Sequence, residues 1–161
     1  MKHLDEIKAR WIWDIGLYSN NTISLQHELV YFRRTFHAVF GYTLNVRISA
    51  DSRYRLFING TSVSVGPCKG DTWNTHYETV DLTPYLKDGK NVLAAVVLHL
   101  PNIQPFVFGV GGSVSTARSS QGGFLLQGEL MDGVRIVEQL HTCHNWKCHR
   151  TNAVEFIPGT L

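Results

Sequence analysis

Apolar and polar residues alternate one by one through Leu44-Asn45-Val46-Arg47-Ile48-Ser49. That is the period of a strand with one face on a core and the other in water. Two further β-prone runs, Arg53 to Ile58 and Thr61 to Val65, are separated by Asn59-Gly60. Both turn residues tolerate the positive φ of a type I′ turn, so the spacing predicts a hairpin. The pattern recurs in Gly123 to Leu130 and Val134 to Glu138, joined through Asp132-Gly133. Upstream, Val30-Tyr31-Phe32-Arg33-Arg34-Thr35-Phe36 reads as an aromatic-rich strand. Lys90 to Leu100 is a nearly continuous apolar strand, expected at the centre of a sheet and covered on both faces.

Only one segment reads as helical. Thr83-Pro84-Tyr85-Leu86 offers an N-cap threonine and a proline at the first helical position, then stops at Asp88-Gly89. Several short strands with a single helical turn predict an all-β protein, a jelly-roll-like antiparallel β-sandwich, rather than βαβ units. Residues 1–161 are expected to form one domain without internal repeats. Asn102 to Gln121 is rich in glycine and serine and is expected to be a long, mobile loop.

Composition narrows the function classes. The 161 residues are 43% hydrophobic and 17% charged, which describes a folded chain and not a disordered one. The net charge of +2 selects neither nucleic acid nor an anionic membrane, and neither partner is expected. No run approaches the roughly 20 apolar residues of a membrane span. The opening Met1-Lys2-His3-Leu4-Asp5-Glu6 lacks the apolar core of a secretory signal. Cys68, Cys143 and Cys148 are an odd number, so no closed disulfide framework is expected. A cytoplasmic setting follows as the expectation.

Ile48 through Gly60, with Ala50-Asp51 before a strand ending in Asn59-Gly60, is similar to the galactose-binding-like jelly rolls that precede catalytic domains in glycoside hydrolases. His76 through Leu93 continues the likeness, with Asp81-Leu82-Thr83, then Gly89-Lys90-Asn91 and an apolar strand. Ala9-Arg10-Trp11-Ile12-Trp13, Tyr31 to Phe36, Gly122 to Leu126 and Thr142 to Lys147 resemble the amino-terminal region of bacterial α-L-rhamnosidases. The resemblance implies a fragment or amino-terminal part of a larger enzyme whose catalytic acids lie in a separate α/α barrel. This chain would then be a non-catalytic accessory domain that supports the barrel and touches rhamnose-containing carbohydrate. A purely structural docking module is the alternative.

The residues themselves offer no catalytic pair. Glycoside hydrolysis usually needs two carboxyl groups flanking one bond. Asp81, Asp88 and Asp132 sit in turns, and Glu129 and Glu138 lie on adjoining strands, expected on solvated faces. Asp51 and Asp71 alone are ambiguous. Sugars present apolar C–H faces and hydroxyl rims, which suit an aromatic platform edged by polar groups. Asp71-Thr72-Trp73-Asn74-Thr75-His76-Tyr77 is the best such run, and Asp71, Trp73, Asn74 and His76 are the candidate carbohydrate contacts. Trp11, Trp13 and Trp146 are expected to pack, Trp146 in the core.

Two other constellations carry weaker chemistry. His141 to His149 holds cysteines and histidines in the density of a zinc site. A strand there would send neighbours to opposite faces, so a structural strand is the expectation and a small metal-binding protein the outlying one. Arg33, Arg34, Arg47, Arg53 and Arg55 interleave with aromatics as in a single-strand nucleic-acid platform. The plainer reading places them at outer positions of half-buried strands. No cofactor and no metal is expected; calcium is not carried over, since no calcium loop is present.

Overall fold

The computed structural model describes residues 7–14, 27–68, 75–100 and 122–153. The described residues form two antiparallel sheets. Nine strands run β1 (Glu28–Ala38), β2 (Thr43–Asp51), β3 (Arg53–Ile58), β4 (Thr61–Gly66), β5 (Glu78–Asp81), β6 (Gly89–His99), β7 (Gly123–Asp132), β8 (Arg135–Gln139) and β9 (Lys147–Arg150). One sheet has the order β4-β3-β6-β1-β9, the other β5-β2-β7-β8. The chain passes from sheet to sheet between β1 and β2, β2 and β3, β4 and β5, β5 and β6, β6 and β7, and β8 and β9. The all-β sandwich expected from alternation is the one observed.

Alternation decides which residues face inward. Leu44, Val46 and Ile48 of β2 are buried, while Asn45 is exposed and Arg47 half-buried. Phe32 of β1 stacks on Phe124 of β7 across the interior, with ring centroids 4.8 Å apart. Trp146 meets Phe124 edge-on at 5.5 Å, and Trp13 packs on Phe32 at 5.8 Å. Burying each such side chain is worth about 1.5–3 kcal/mol, so the aromatic row and the buried aliphatic residues around it hold the sheets together. Trp146 is core, as expected. Trp11 is 47% exposed, and Trp13 lies half-buried over the sandwich edge.

The turns follow their sequence chemistry. Asn59 and Gly60 both have positive φ, 51° and 85°, as the type I′ hairpin requires. Gly133 turns β7 into β8 with φ 58°. The helical turn is a 3-10 segment, Thr83–Tyr85, capped by Leu82 rather than by Thr83. Thr83 Oγ1 instead accepts the Leu44 N–H at 3.0 Å, and Asp81 Oδ1 accepts the Thr83 N–H at 2.9 Å. The threonine ties the turn to β2, which leaves no hydroxyl for capping.

Two expectations need correction. β6 is central, but only its inner row, from Asn91 to His99, is fully buried; Val92, Ala94, Val96 and Leu98 are half-covered on the outside. Residues 141–149 are not one strand. His141 and Thr142 lie beside β7, where the Thr142 N–H donates to Leu126 at 2.8 Å. A turn at Cys143, closed by the Trp146 N–H at 3.2 Å, then sends the chain to β9 in the other sheet. The buried Trp146 indole sets that crossing, donating to the His141 carbonyl at 3.1 Å. The expected loop from Asn102 to Gln121 lies outside the described residues.

Candidate functional site

β4 and β5 are edge strands of the two sheets, and Tyr54 of β3 is buried in the core beside them. Its hydroxyl donates to Glu78 Oε2 at 2.9 Å and lies 3.1 Å from Ser64 Oγ. Glu78 occupies an inward position of β5, opposite Ile48. Its other oxygen accepts the Cys68 N–H. Gly66 lies directly beneath: an added Cβ would sit 2.8 Å from Tyr54 Cε1 and 2.9 Å from Glu78 Oε2. Only glycine leaves room for this pair.

Burial pushes the Tyr54 phenol up, a shift that the nearby Glu78 carboxylate reinforces and the Ser64 hydrogen bond opposes. Hydrogen bonding to Glu78 raises the Cys68 thiol as well. Neither group is ionised near neutrality, so Tyr54 serves as a hydrogen-bond donor and Cys68 is no activated nucleophile.

Outside this cluster opens a groove of about 520 Å³. Leu29, Val65, Val96 and Leu98 give it an apolar lining, with Arg53 and Arg55 above and Glu78 at its inner end. Its size and mixture of apolar wall with few polar groups fit a binding site for a small organic molecule or a protein segment. The Arg53 guanidinium is steadied by the Pro67 carbonyl at 3.1 Å.

Among the described residues, none of the sequence candidates lines this groove. Asp71, Trp73 and Asn74 lie outside the described residues. His76 is exposed, and its carbonyl accepts a hydrogen bond from Ser49 Oγ at 2.6 Å, fixing the start of β5 against β2. Next to it, Arg47 lies over the Tyr77 ring at 5.6 Å, a cation–π contact. Sequence reasoning missed Tyr54 and Glu78 as a unit. The available signal was parity: Glu78 and Val80 are two apart on one strand, so the carboxylate had to share the face of a core valine.

The other singled-out groups resolve structurally. Asp51 accepts from Ser52 Oγ at 2.8 Å and lies 3.6 Å from His99 Nδ1. Glu138 pairs with Arg34 at 2.9 Å, and Glu129 is 3.7 Å from His141 Nε2. Among the described residues no three His, Cys, Asp or Glu side chains converge as metal ligands. The arginines divide: Arg33, Arg53 and Arg55 share the outer face of the five-stranded sheet, whereas Arg47 lies on the other sheet and Arg34 bonds Glu138. Among the described residues, no helix is long and apolar enough to cross a membrane.

No protein-family model and no curated protein matches the sequence. Solved structures do. A GH78 family rhamnosidase of Bacillus sp. GL1 is 28% identical with a TM-score of 0.64, over 89% of this chain and 13% of that one. An α-L-rhamnosidase from Dictyoglumus thermophilum is 18% identical with a TM-score of 0.60, over 76% of this chain and 13% of that one. A lectin from Pleurotus ostreatus, solved in complex with GalNAc, shares the fold at 16% identity and a TM-score of 0.57, over 87% of this chain and 35% of that one. The resemblance read from the motifs is therefore borne out: α-L-rhamnosidases are among the structural neighbours, and this chain matches a domain-sized portion of them.

Proposed function

We propose that this chain is the non-catalytic β-sandwich domain of a bacterial α-L-rhamnosidase, galactose-binding-like in class, which supports a catalytic α/α barrel and contacts carbohydrate. The observation that carries this reading is the asymmetry of the match: 89% of this chain against 13% of the Bacillus enzyme. A match confined to about one part in eight of a hydrolase fits an accessory domain.

The described carboxylates support a non-catalytic role. Glu78 is held by Tyr54 and Cys68, Glu138 by Arg34, Asp132 by Arg135, and Glu28 by Arg150 and Trp13. Glu28 and Glu78 are engaged in the packing of the sandwich, whereas the Asp132–Arg135 pair lies exposed at a turn. Carbohydrate contact is assigned to Asp71, Trp73, Asn74 and His76, the run that precedes β5 in the sequence. An aromatic platform with amide, carboxylate and imidazole at its rim is suited to a sugar's apolar face and hydroxyls.

The test is a pair of measurements on the isolated chain. It should show no turnover of an aryl α-L-rhamnoside, and its tryptophan fluorescence should shift weakly with L-rhamnose. Trp73→Ala should abolish that shift. Turnover would refute the non-catalytic reading, and an unchanged titration in the variant would remove the loop from the site.

A further inference from the structure

Charge is sorted between the two sheets. The five strands of the β4-β3-β6-β1-β9 sheet contain a single acidic residue, Glu28, and it faces inward, where it pairs with Arg150 at 2.9 Å. The β5-β2-β7-β8 sheet instead carries Asp51, Glu78, Asp81, Glu129, Asp132 and Glu138. A chain of net charge +2 thus presents one cationic sheet and one largely acidic one.

Register places the cations on one outer surface. Arg33 of β1 lies opposite Ala94 of β6, Arg55 of β3 opposite Val96, and Arg53 opposite Leu98. Lys147 of β9 stands beside Arg33, and Lys90 ends the β6 outer row. Among the described residues, Arg33, Arg53 and Arg55 pair with no carboxylate. Between them runs the aliphatic row Val92, Ala94, Val96 and Leu98, flanked by Leu29 and by Val65, which is 64% exposed.

This surface also has relief. The margin groove of about 520 Å³ is lined by Leu29, Val96, Leu98, Arg53 and Arg55, and its one carboxylate among the described residues, Glu78, is taken up by Tyr54 and Cys68. A second hollow of about 250 Å³ lies at the β1–β9 edge between Arg33, Arg34, Thr35, Asn145 and Lys147. An apolar trough with unpaired guanidinium groups along it complements a chain that alternates apolar side chains with carboxylates.

We infer that the outer face of the β4-β3-β6-β1-β9 sheet docks an acidic protein segment that carries large apolar side chains. Guanidinium groups bind its carboxylates, and the aliphatic row takes its apolar residues. The inference deepens the accessory-domain reading and rests on it for the segment's source, the remainder of a longer polypeptide. Other occupants fit less well. A single-stranded nucleic acid needs several aromatic platforms, and here Tyr31 is the exposed one, at 42%. Membrane insertion needs an apolar face that enters lipid, and the aliphatic row here is half-covered and set among arginines. A second copy of this sheet repels it by like charge.

The test titrates the chain with a short synthetic peptide alternating glutamate and leucine, followed by amide NMR shifts. Shifts should map to β1, β3 and β6, and binding should weaken with salt. The Glu→Gln peptide should bind roughly tenfold more weakly, as should the Arg53→Glu/Arg55→Glu double variant. Arg33→Glu/Lys147→Glu, at exposed positions, provides a second variant should loss of the Arg53–Pro67 contact perturb the fold. No peptide binding, or binding indifferent to charge, overturns the inference. So does tighter binding of an oligothymidylate, of phosphatidylserine vesicles, or of the chain to itself. A rhamnose titration without peptide binding sinks this inference and spares the carbohydrate reading; peptide binding without a rhamnose response does the reverse.

Discussion

Asn59 donates its side-chain N–H to Asn91 Oδ1 at 2.9 Å, joining the β3–β4 hairpin to the entry of the central strand. Asn91 is fully buried, and its amide also donates to the Lys87 and Gly89 carbonyls, at 2.7 and 3.0 Å. Its oxygen accepts the Lys87 N–H at 2.9 Å. Asn59 in turn accepts the Val92 N–H at 3.0 Å. Asn91→Ala removes a fully buried amide that makes four hydrogen bonds, at a cost of about 2–3 kcal/mol. Urea denaturation should show that loss, and a change below about 1 kcal/mol would mean the network is dispensable.

Glu28 and Arg150 close the opposite end of the same sheet. Glu28 is 7% exposed, and it accepts from both Arg150 and the Trp13 indole, the latter at 3.1 Å. Removing one partner strands a charge away from water, which costs about 3–5 kcal/mol for a well-buried pair. Arg150 keeps Asp14 at 3.7 Å, so Glu28→Ala should fall at the lower end, near about 3 kcal/mol. Glu28→Gln keeps the indole's acceptor and should recover part of it. Because Trp13 moves with Glu28, the emission of the folded Glu28→Ala variant should shift to the red as well.

The same contrast shows what alternation reveals and what it hides. Leu44, Val46 and Ile48 declare their faces by period alone, and Asn59-Gly60 declares its turn by φ tolerance, so both were legible locally. Asn91 stands at the head of the apolar strand, and its partner Asn59 lies across the hairpin, where no local pattern shows it. Thr83 reads as an N-cap, but it spends its hydroxyl on β2, 39 residues away. The Tyr54–Glu78 contact joins two sheets, so the period along β5 turns Glu78 inward but does not name Tyr54 as its partner. The Cys143–His149 region misled because a buried Trp146 was compatible with a strand, and a crossing between sheets leaves no local signature. Function was less legible still: Asp71, Trp73, Asn74 and His76 rest on residue type, whereas the sorting of charge emerges only when strands are assigned to sheets.

Gly122 and Gly123 supply the seat for the amino-terminal segment. Ile12 exchanges backbone hydrogen bonds with Phe124, at 3.0 and 2.9 Å. A Cβ on Gly122 would lie 2.2 Å from Trp13 Cζ2, and one on Gly123 would lie 2.7 Å from Trp11 Cε3. Overlaps of that size force an indole off its site. Gly122→Ala should therefore cost about 1–3 kcal/mol by overpacking, shift the folded emission to the red, and make residues 7–14 more open to protease. An unchanged spectrum would show that Trp13 relaxes without leaving Phe32.

His141 gives the fold an acid-side sensitivity whose direction follows from geometry. Its Nδ1 accepts the Gly128 N–H at 3.3 Å, which requires an unprotonated nitrogen. Burial holds its pKa below the ordinary 6.5, with Lys8 and Arg34 adding to the shift and Glu129 opposing it. The unfolded chain therefore takes up this proton more readily than the folded one. Stability from the neutral ring is complete above 6.5 and is lost as pH falls from there through the lowered folded value. His141→Gln, whose side-chain oxygen can accept the same N–H but does not titrate, should flatten this part of the profile. Urea midpoints compared at about pH 7.5 and about pH 5.5 should fall more steeply for the parent chain than for the variant. Parallel slopes would assign the acid sensitivity to other groups, and a steeper slope in the variant would mean that Glu129, 3.7 Å from Nε2, outweighs burial and stabilises the charged ring.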